Sequence, residues 1–133
     1  MHEAAFISFL EDISRCFVER NVALWASRIE LPFEITTKVG LYEMTSHAEV
    51  EANFNQYLRA CDVLGLDLIA CNPVSLEQQP DGTWRGTYET RLVNGSQLAT
   101  DPYMSTAVMM WDGSMFRMKA ILGGRGHEDW TRR

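Results

Sequence analysis

The sequence predicts an α+β domain in which helices come first and a meander of long antiparallel strands follows. Three observations carry that prediction. Apolar residues recur at helical spacing up to Leu64, extended runs rich in β-branched and aromatic residues begin near Asp67, and turn dipeptides punctuate those runs. At 133 residues the chain has room for a sizeable core but not for two independent ones, so a single domain over 1–133 is expected.

Ala5, Phe6, Phe9, Leu10, Ile13, Cys16 and Phe17 share one side of a helix, with Glu11, Asp12, Arg15 and Glu19 on the other. That is an amphipathic helix with one buried stripe. Asn21 is placed to cap a short second helix carrying Val22, Leu24 and Trp25. It must end before Pro32, because proline drives the preceding residue out of the α region. Phe33 to Lys38 alternates with period two, Gly40 breaks it, and Leu41 to Met44 can return as a partner, which makes a short inserted hairpin. Ser46-His47-Ala48-Glu49 is a capping box, followed by Val50, Phe54, Tyr57, Leu58, Cys61 and Leu64 on one face, with Gly65 as terminator.

Beyond Asp67, extended runs at 67–79, 83–93, 105–111 and 114–122 are separated by Pro80-Asp81-Gly82, Asn94-Gly95-Ser96 and Asp112-Gly113. Such dipeptides mark hairpins. No repeat, linker or low-complexity tract interrupts this order.

Composition narrows the function classes. A net charge of -6, with Lys38 and Lys119 the only lysines, argues against a nucleic-acid surface, which needs clustered cations. Arg132 and Arg133 read as a solvated tail. Acids at Glu3, Glu11 and Asp12 interrupt the N-terminal apolar residues, so neither a signal peptide nor a membrane span is expected, and the location expected is cytoplasmic. Cys16, Cys61 and Cys71 have no C-x-x-C spacing and no histidine at ligand spacing, and read as reduced, buried small hydrophobes.

The order of elements, together with LWASRIELPFEI (24–35), TSHAEVEANFNQYL (45–58), PDGTWRGTYET (80–90) and WDGSMFRMKAILG (111–123), resembles the nuclear transport factor 2-like (SnoaL-like) superfamily. The resemblance runs from Phe6 to His127. It implies a cystatin-like cone: three N-terminal helices with the inserted hairpin, packed on a curved antiparallel sheet. Ketosteroid isomerases, polyketide cyclases, epoxide hydrolases, dehydratases and transport adaptors share that fold, so it does not fix a function.

An isomerase-type site would need a carboxylate base near Thr37, a tyrosine from the first helix and a protonated acid on a later strand. The only acid in the first strand is Glu34, no tyrosine precedes Tyr42, and no acid lies between Ser105 and Trp111. No catalytic residue, metal ligand or cofactor is nominated. His2 sits at a frayed end, His47 at a helix start, and His127 and Asp101 in loops. Gly123-Gly124-Arg125-Gly126 resembles a phosphate loop but lacks the following helix and lysine.

Strand parity places Trp84, Tyr88 and Leu92 inward, with Arg85, Thr87, Glu89 and Arg91 outward. In the last strand it places Phe116, Met118, Ala120 and Leu122 inward, with Met115, Arg117, Lys119 and Ile121 outward. The leading expectation is therefore a hydrophobic small-molecule site lined by Trp25, Tyr57, Trp84, Tyr88, Phe116 and Met118, with Tyr57, Tyr88, Thr90, Asn72 and Ser105 as polar handles. The plainer alternative is that Trp25, Trp84, Trp111, Met109 and Met110 only fill a core. A rival reading is an enzyme of the cyclase, dehydratase or epoxide-opening kind, in which a β-bulge turns Glu89 or Arg91 inward beside Arg117. The outer face, where Glu89 could pair with Arg117 or Lys119, is expected to form a homodimer; recruitment of a different protein by that face is a third reading.

Overall fold

The second and third helices each begin where a side chain can take over an orphan amide. The computed structural model describes residues 2–131. Helix α1 (His2–Val18) buries Cys16 together with Phe6, Phe9, Leu10, Ile13 and Phe17, the last five each worth roughly 1.5–3 kcal/mol if fully withdrawn from water. Helix α2 (Val22–Ser27) is capped by Asn21, whose side chain accepts from the Leu24 amide at 3.1 Å. Strands β1 (Ile29–Thr37) and β2 (Gly40–Met44) form the inserted hairpin. Helix α3 (His47–Leu64) starts on Ser46, whose hydroxyl accepts from the Glu49 amide at 3.2 Å. The Glu49 carboxylate turns back to the hydroxyls of Thr45 and Ser46. Gly65 ends α3 in the left-handed region at φ 64°.

Strands β3 (Leu68–Gln78), β4 (Trp84–Asn94), β5 (Gln97–Leu98), β6 (Tyr103–Trp111) and β7 (Phe116–Leu122) come next, and a short helix α4 (His127–Thr131) is last. The sheet runs β2-β1-β7-β6-β4-β3, with β5 beside β4. All neighbours are antiparallel except β1 and β7, which pair in parallel. Between β6 and β7 Asp112 holds the turn, accepting from the Ser114 and Met115 amides; these bonds bring its carboxyl down to about 2.

Bulges bend the sheet around the helices. One inserts Val74 between Pro73 and Ser75 on β3, and another inserts Lys119 between Met118 and Ala120 on β7. The second overturns part of the parity expected for β7. Past Lys119 the strand turns over, so Ile121 pairs with inward Ala107 and faces inside, whereas Ala120 pairs with Val108 on the outer side. In β4 the expected alternation is seen: Gly86, Tyr88, Thr90 and Leu92 are buried, and Arg85 and Arg91 are exposed.

The buried side chains form one cluster between sheet and helices. Gly86 makes room in it for the Phe6 ring and the end of Met109. Arg28, 5% exposed, lies inside as well, paired with Asp12. His2 is not at a frayed end: it opens α1, with its ring stacked on Trp84 at 4.4 Å and edge-on to Trp111 at 4.7 Å. Arg132 and Arg133 lie outside the described residues.

Candidate functional site

At one end of the cone the three layers do not quite meet. Ile13 and Phe17 from α1, Trp25 from α2 and Tyr57 from α3 form one side of a cavity of about 60 Å³. Ile35, Ile69, Cys71, Tyr88, Thr90, Tyr103, Ser105 and Ile121 from the sheet form the other. Gly124, Arg125 and Trp130 cover it from the C-terminal segment. Gly123, at φ 67°, and the Gly124 amide, bonded to the Thr36 carbonyl at 2.8 Å, turn that segment back across the mouth. The Gly-Gly-Arg-Gly run is thus a fold-back turn.

Four contacts seat this cover. The Tyr57 hydroxyl donates to the Arg125 carbonyl at 2.6 Å, and Trp130 Nε1 donates to the Tyr103 hydroxyl at 3.0 Å. The Arg125 guanidinium lies over the Tyr103 ring, 5.1 Å from its centroid. Trp130 also meets Tyr57 edge-on at 4.8 Å.

Burial drives the hydroxyls of Tyr57, Tyr88 and Tyr103 above the ordinary phenol range, and burial raises the Cys71 thiol too. All four are therefore neutral near pH 7. Neither a carboxylate nor an imidazole is among the residues lining the cavity, and Arg125 is its one cationic lining residue among those described. Such a chamber can hold and orient a neutral molecule. Its described lining holds no side chain that acts as a general base at neutral pH.

Of the six residues expected to bind ligand, Trp25, Tyr57 and Tyr88 line this cavity. Trp84, Phe116 and Met118 are inside too, but not in its lining: Phe116 packs with Trp111, Trp84 and His2 at 5.0, 5.7 and 6.1 Å, and Met118 is fully buried beside Met109. Thr90 and Ser105 contribute as expected, but Asn72 is exposed opposite Glu89 on the outer side, and Cys71 takes the inward place. Tyr103, Ile121 and Trp130 were not anticipated.

Glu89 does not turn inward. The bulge that would have moved it lies on β3 at Val74 instead, and β4 runs in unbroken register with β6 from Trp84 to Thr90. On the outer side Glu89 pairs with Arg91 of its own strand at 2.7 Å, not with Arg117 or Lys119, and Arg117 turns to Asp112 at 3.4 Å. This placement removes Glu89 as the inward base of the rival enzyme reading. His127 opens α4 rather than lying in a loop, while His47 is exposed at the start of α3.

A second cleft, of about 320 Å³, adjoins the cavity. Ile35 and Tyr57 line both, so they form the partition. Val39, Tyr42, Asn53, Gln56 and the His127, Glu128 and Asp129 turn of α4 make its outer walls. Among the described residues no three or more His, Cys, Asp or Glu side chains group as metal ligands, and no helix is long and apolar enough to cross a membrane.

No protein-family model matches the chain, and no curated protein matches it in sequence. Solved structures do share its shape. An NTF-2 like protein of unknown function from Shewanella oneidensis MR-1 has a TM-score of 0.69 at 7% identity, over 91% of this chain and 97% of the other. ActVI-ORFA from Streptomyces coelicolor gives 0.64 at 15% identity, over 90% and 92%. A domain of unknown function with a cystatin-like fold from Nostoc punctiforme PCC 73102 gives 0.65 at 12% identity, over 90% and 74%. At these identities the likeness is one of architecture, and it agrees with the helices seated in a curved, unclosed sheet. The chain has the nuclear transport factor 2-like, or cystatin-like, α+β fold.

Proposed function

We propose that this chain is a SnoaL-like single domain that binds a small hydrophobic molecule between sheet and helices, without a complete catalytic set. One observation carries the reading: the cavity has aromatic and aliphatic walls, neutral hydroxyls and no carboxylate or imidazole in its described lining. Apolar walls with a few fixed polar groups are the ordinary make-up of ligand sites.

Size sets a condition. About 60 Å³ is well below the ~300–1,000 Å³ of most ligand pockets, and below the ~150 Å³ that admits a benzene ring. Binding therefore goes with an outward shift of the Arg125–Trp130 cover that widens the chamber itself. Native mass spectrometry of protein purified without denaturation tests the reading, together with thermal shifts in the presence of single-ring hydrocarbons. A bound small molecule or a raised melting temperature is expected, and Cys71→Phe, which fills the chamber, abolishes either. Absence of both in the unaltered protein refutes it.

The proposal includes a homodimer through the outer sheet face and a cytoplasmic location. That face exposes Leu68, Met104 and Met110 among Arg85, Glu89, Arg91 and Arg117, a mixed-sign surface that two-fold symmetry can match to itself. Three cysteines, all free, suit a reducing compartment.

A further inference from the structure

The cleft beside the chamber is walled differently from the chamber itself. At about 320 Å³ it already lies within the ~300–1,000 Å³ of most ligand sites, with no movement of the cover. The hairpin of β1 and β2 supplies apolar and ring surface through Ile35, Val39 and Tyr42. Helix α3 and the C-terminal segment supply the polar groups.

Those groups are unspent. The side chains of Tyr42, Asn53, Gln56, His127 and Glu128 make no hydrogen bond among the described residues, whereas Tyr57, Ser105 and Trp130 around the chamber are all engaged. Glu128 is exposed and joins none of the ion pairs among the described residues. Arg59 lines the next groove along, not this one, and neither Lys nor Arg is in the described lining. The Asp129 carboxylate stands by the partition: after burial and Tyr103, it is the next influence that raises the Tyr57 phenol, and Tyr42 follows.

Such walls select by charge. Carboxylates beside hydrocarbon and ring surface, with no described cation in the lining, hold a negative potential that concentrates cations. An anion is repelled, and the Gly126 amide that could have met one is given to Asp129 Oδ2 at 3.0 Å. Too few acid, His or Cys side chains stand together among the described residues to replace the water around a metal ion. An organic ammonium needs no such shell. Its N–H groups donate to carboxylate and amide oxygens, and the faces of phenol rings attract it.

We propose that this cleft binds a small arylalkyl ammonium ion, its charge beside Glu128 and Asp129 and within reach of the Asn53 and Gln56 amides, its ring against Val39 and Tyr42. The site is separate from the hydrophobic chamber and does not depend on it.

Phenethylamine, phenethyl alcohol and phenylacetate have nearly the same shape and carry positive, zero and negative charge at neutral pH. Binding is measured by titration calorimetry, with the side-chain amide resonances followed by NMR on isotope-labelled protein. Phenethylamine is expected to bind at least about tenfold more tightly than the alcohol, the worth of one charge-assisted hydrogen bond, and phenylacetate not measurably. The amine should shift the amide resonances of Asn53 and Gln56, and its affinity should fall as ionic strength rises from about 0.01 to 0.15 M. Glu128→Gln, at an exposed position that leaves the core untouched, should weaken it about tenfold. Cys71→Phe, which fills the chamber, should leave it within about twofold. Equal affinities for amine and alcohol, or amine binding indifferent to Glu128→Gln, overturn this inference and leave the chamber reading standing. Amine binding lost in Cys71→Phe overturns it too, by placing the amine in the chamber.

Discussion

Arg28 grips Asp12 through two nitrogens, Nη2 at 2.7 Å and Nε at 2.9 Å from the same carboxylate oxygen. Its remaining nitrogen donates to the Phe116 carbonyl at 3.2 Å. One guanidinium thus ties α1, the corner between α2 and β1, and the start of β7. Arg28→Met leaves Asp12 only Arg15, 3.8 Å away at the surface, and a loss of about 3 kcal/mol is expected in urea unfolding. The double replacement Asp12→Leu with Arg28→Met should recover most of that loss. A single variant as stable as the parent would mean that water already shields Asp12.

Gly86 is a matter of space. A methyl group there would strike the Phe6 ring and the end of Met109, in a part of the core with little freedom. Gly86→Ala is expected to lower stability by about 1–3 kcal/mol. Adding Phe6→Leu should return part of it, and thermal melts of the three variants check the pairing.

Alkaline pH should unfold this protein early. Burial holds Cys16, Cys71, Tyr57, Tyr88 and Tyr103 above their ordinary values, and Cys61, buried beside Asp62, is pushed up to about 11. The unfolded chain therefore gives up these protons first. Stability is complete below the free thiol value of ~8.5, falls as pH rises past it, and falls faster above ~10 as the tyrosines join. Each group contributes up to about 1.4 kcal/mol per pH unit. Urea midpoints that do not move between about pH 7.5 and 10.5 would contradict this.

The outer face can be tested at one position. Met104, exposed on β6, lies directly opposite Glu89 on β4. Met104→Glu sets two like charges side by side and removes an apolar contact. Light scattering after gel filtration should give twice the chain mass for the parent and the single mass for the variant. A monomeric parent ends the dimer proposal.

The sequence was most informative where local chemistry decides the outcome. Ser46, Glu49 and Gly65 mark both ends of α3 because caps act on their own helix. Parity in β4 was readable because alternation belongs to a single strand. The bulge at Lys119 was not, since it exists only relative to β6, and it moved Ile121 to the inside. Parity also says inside or outside, not how far along the cone. Trp84 and Tyr88 share a face of β4, yet one meets His2 and the other borders the cavity. Tyr103 could have been found by extending the Ser105, Ala107, Met109 alternation back by two. Trp130 had no such signal, because a helix of five residues shows no period.

The parallel seam between β1 and β7 has a consequence for how the protein is made. Ile29 and Ile35 find their partners Met118 and Ile121 only after every intervening helix and strand has been synthesised. Until then the growing chain carries β1 with one edge of unpaired backbone N–H and C=O groups, and loop closure over such a span is slow. A ribosome-tethered chain that stops before Phe116 is thus a sticky half-sheet, and holdase chaperones have most to do in that interval.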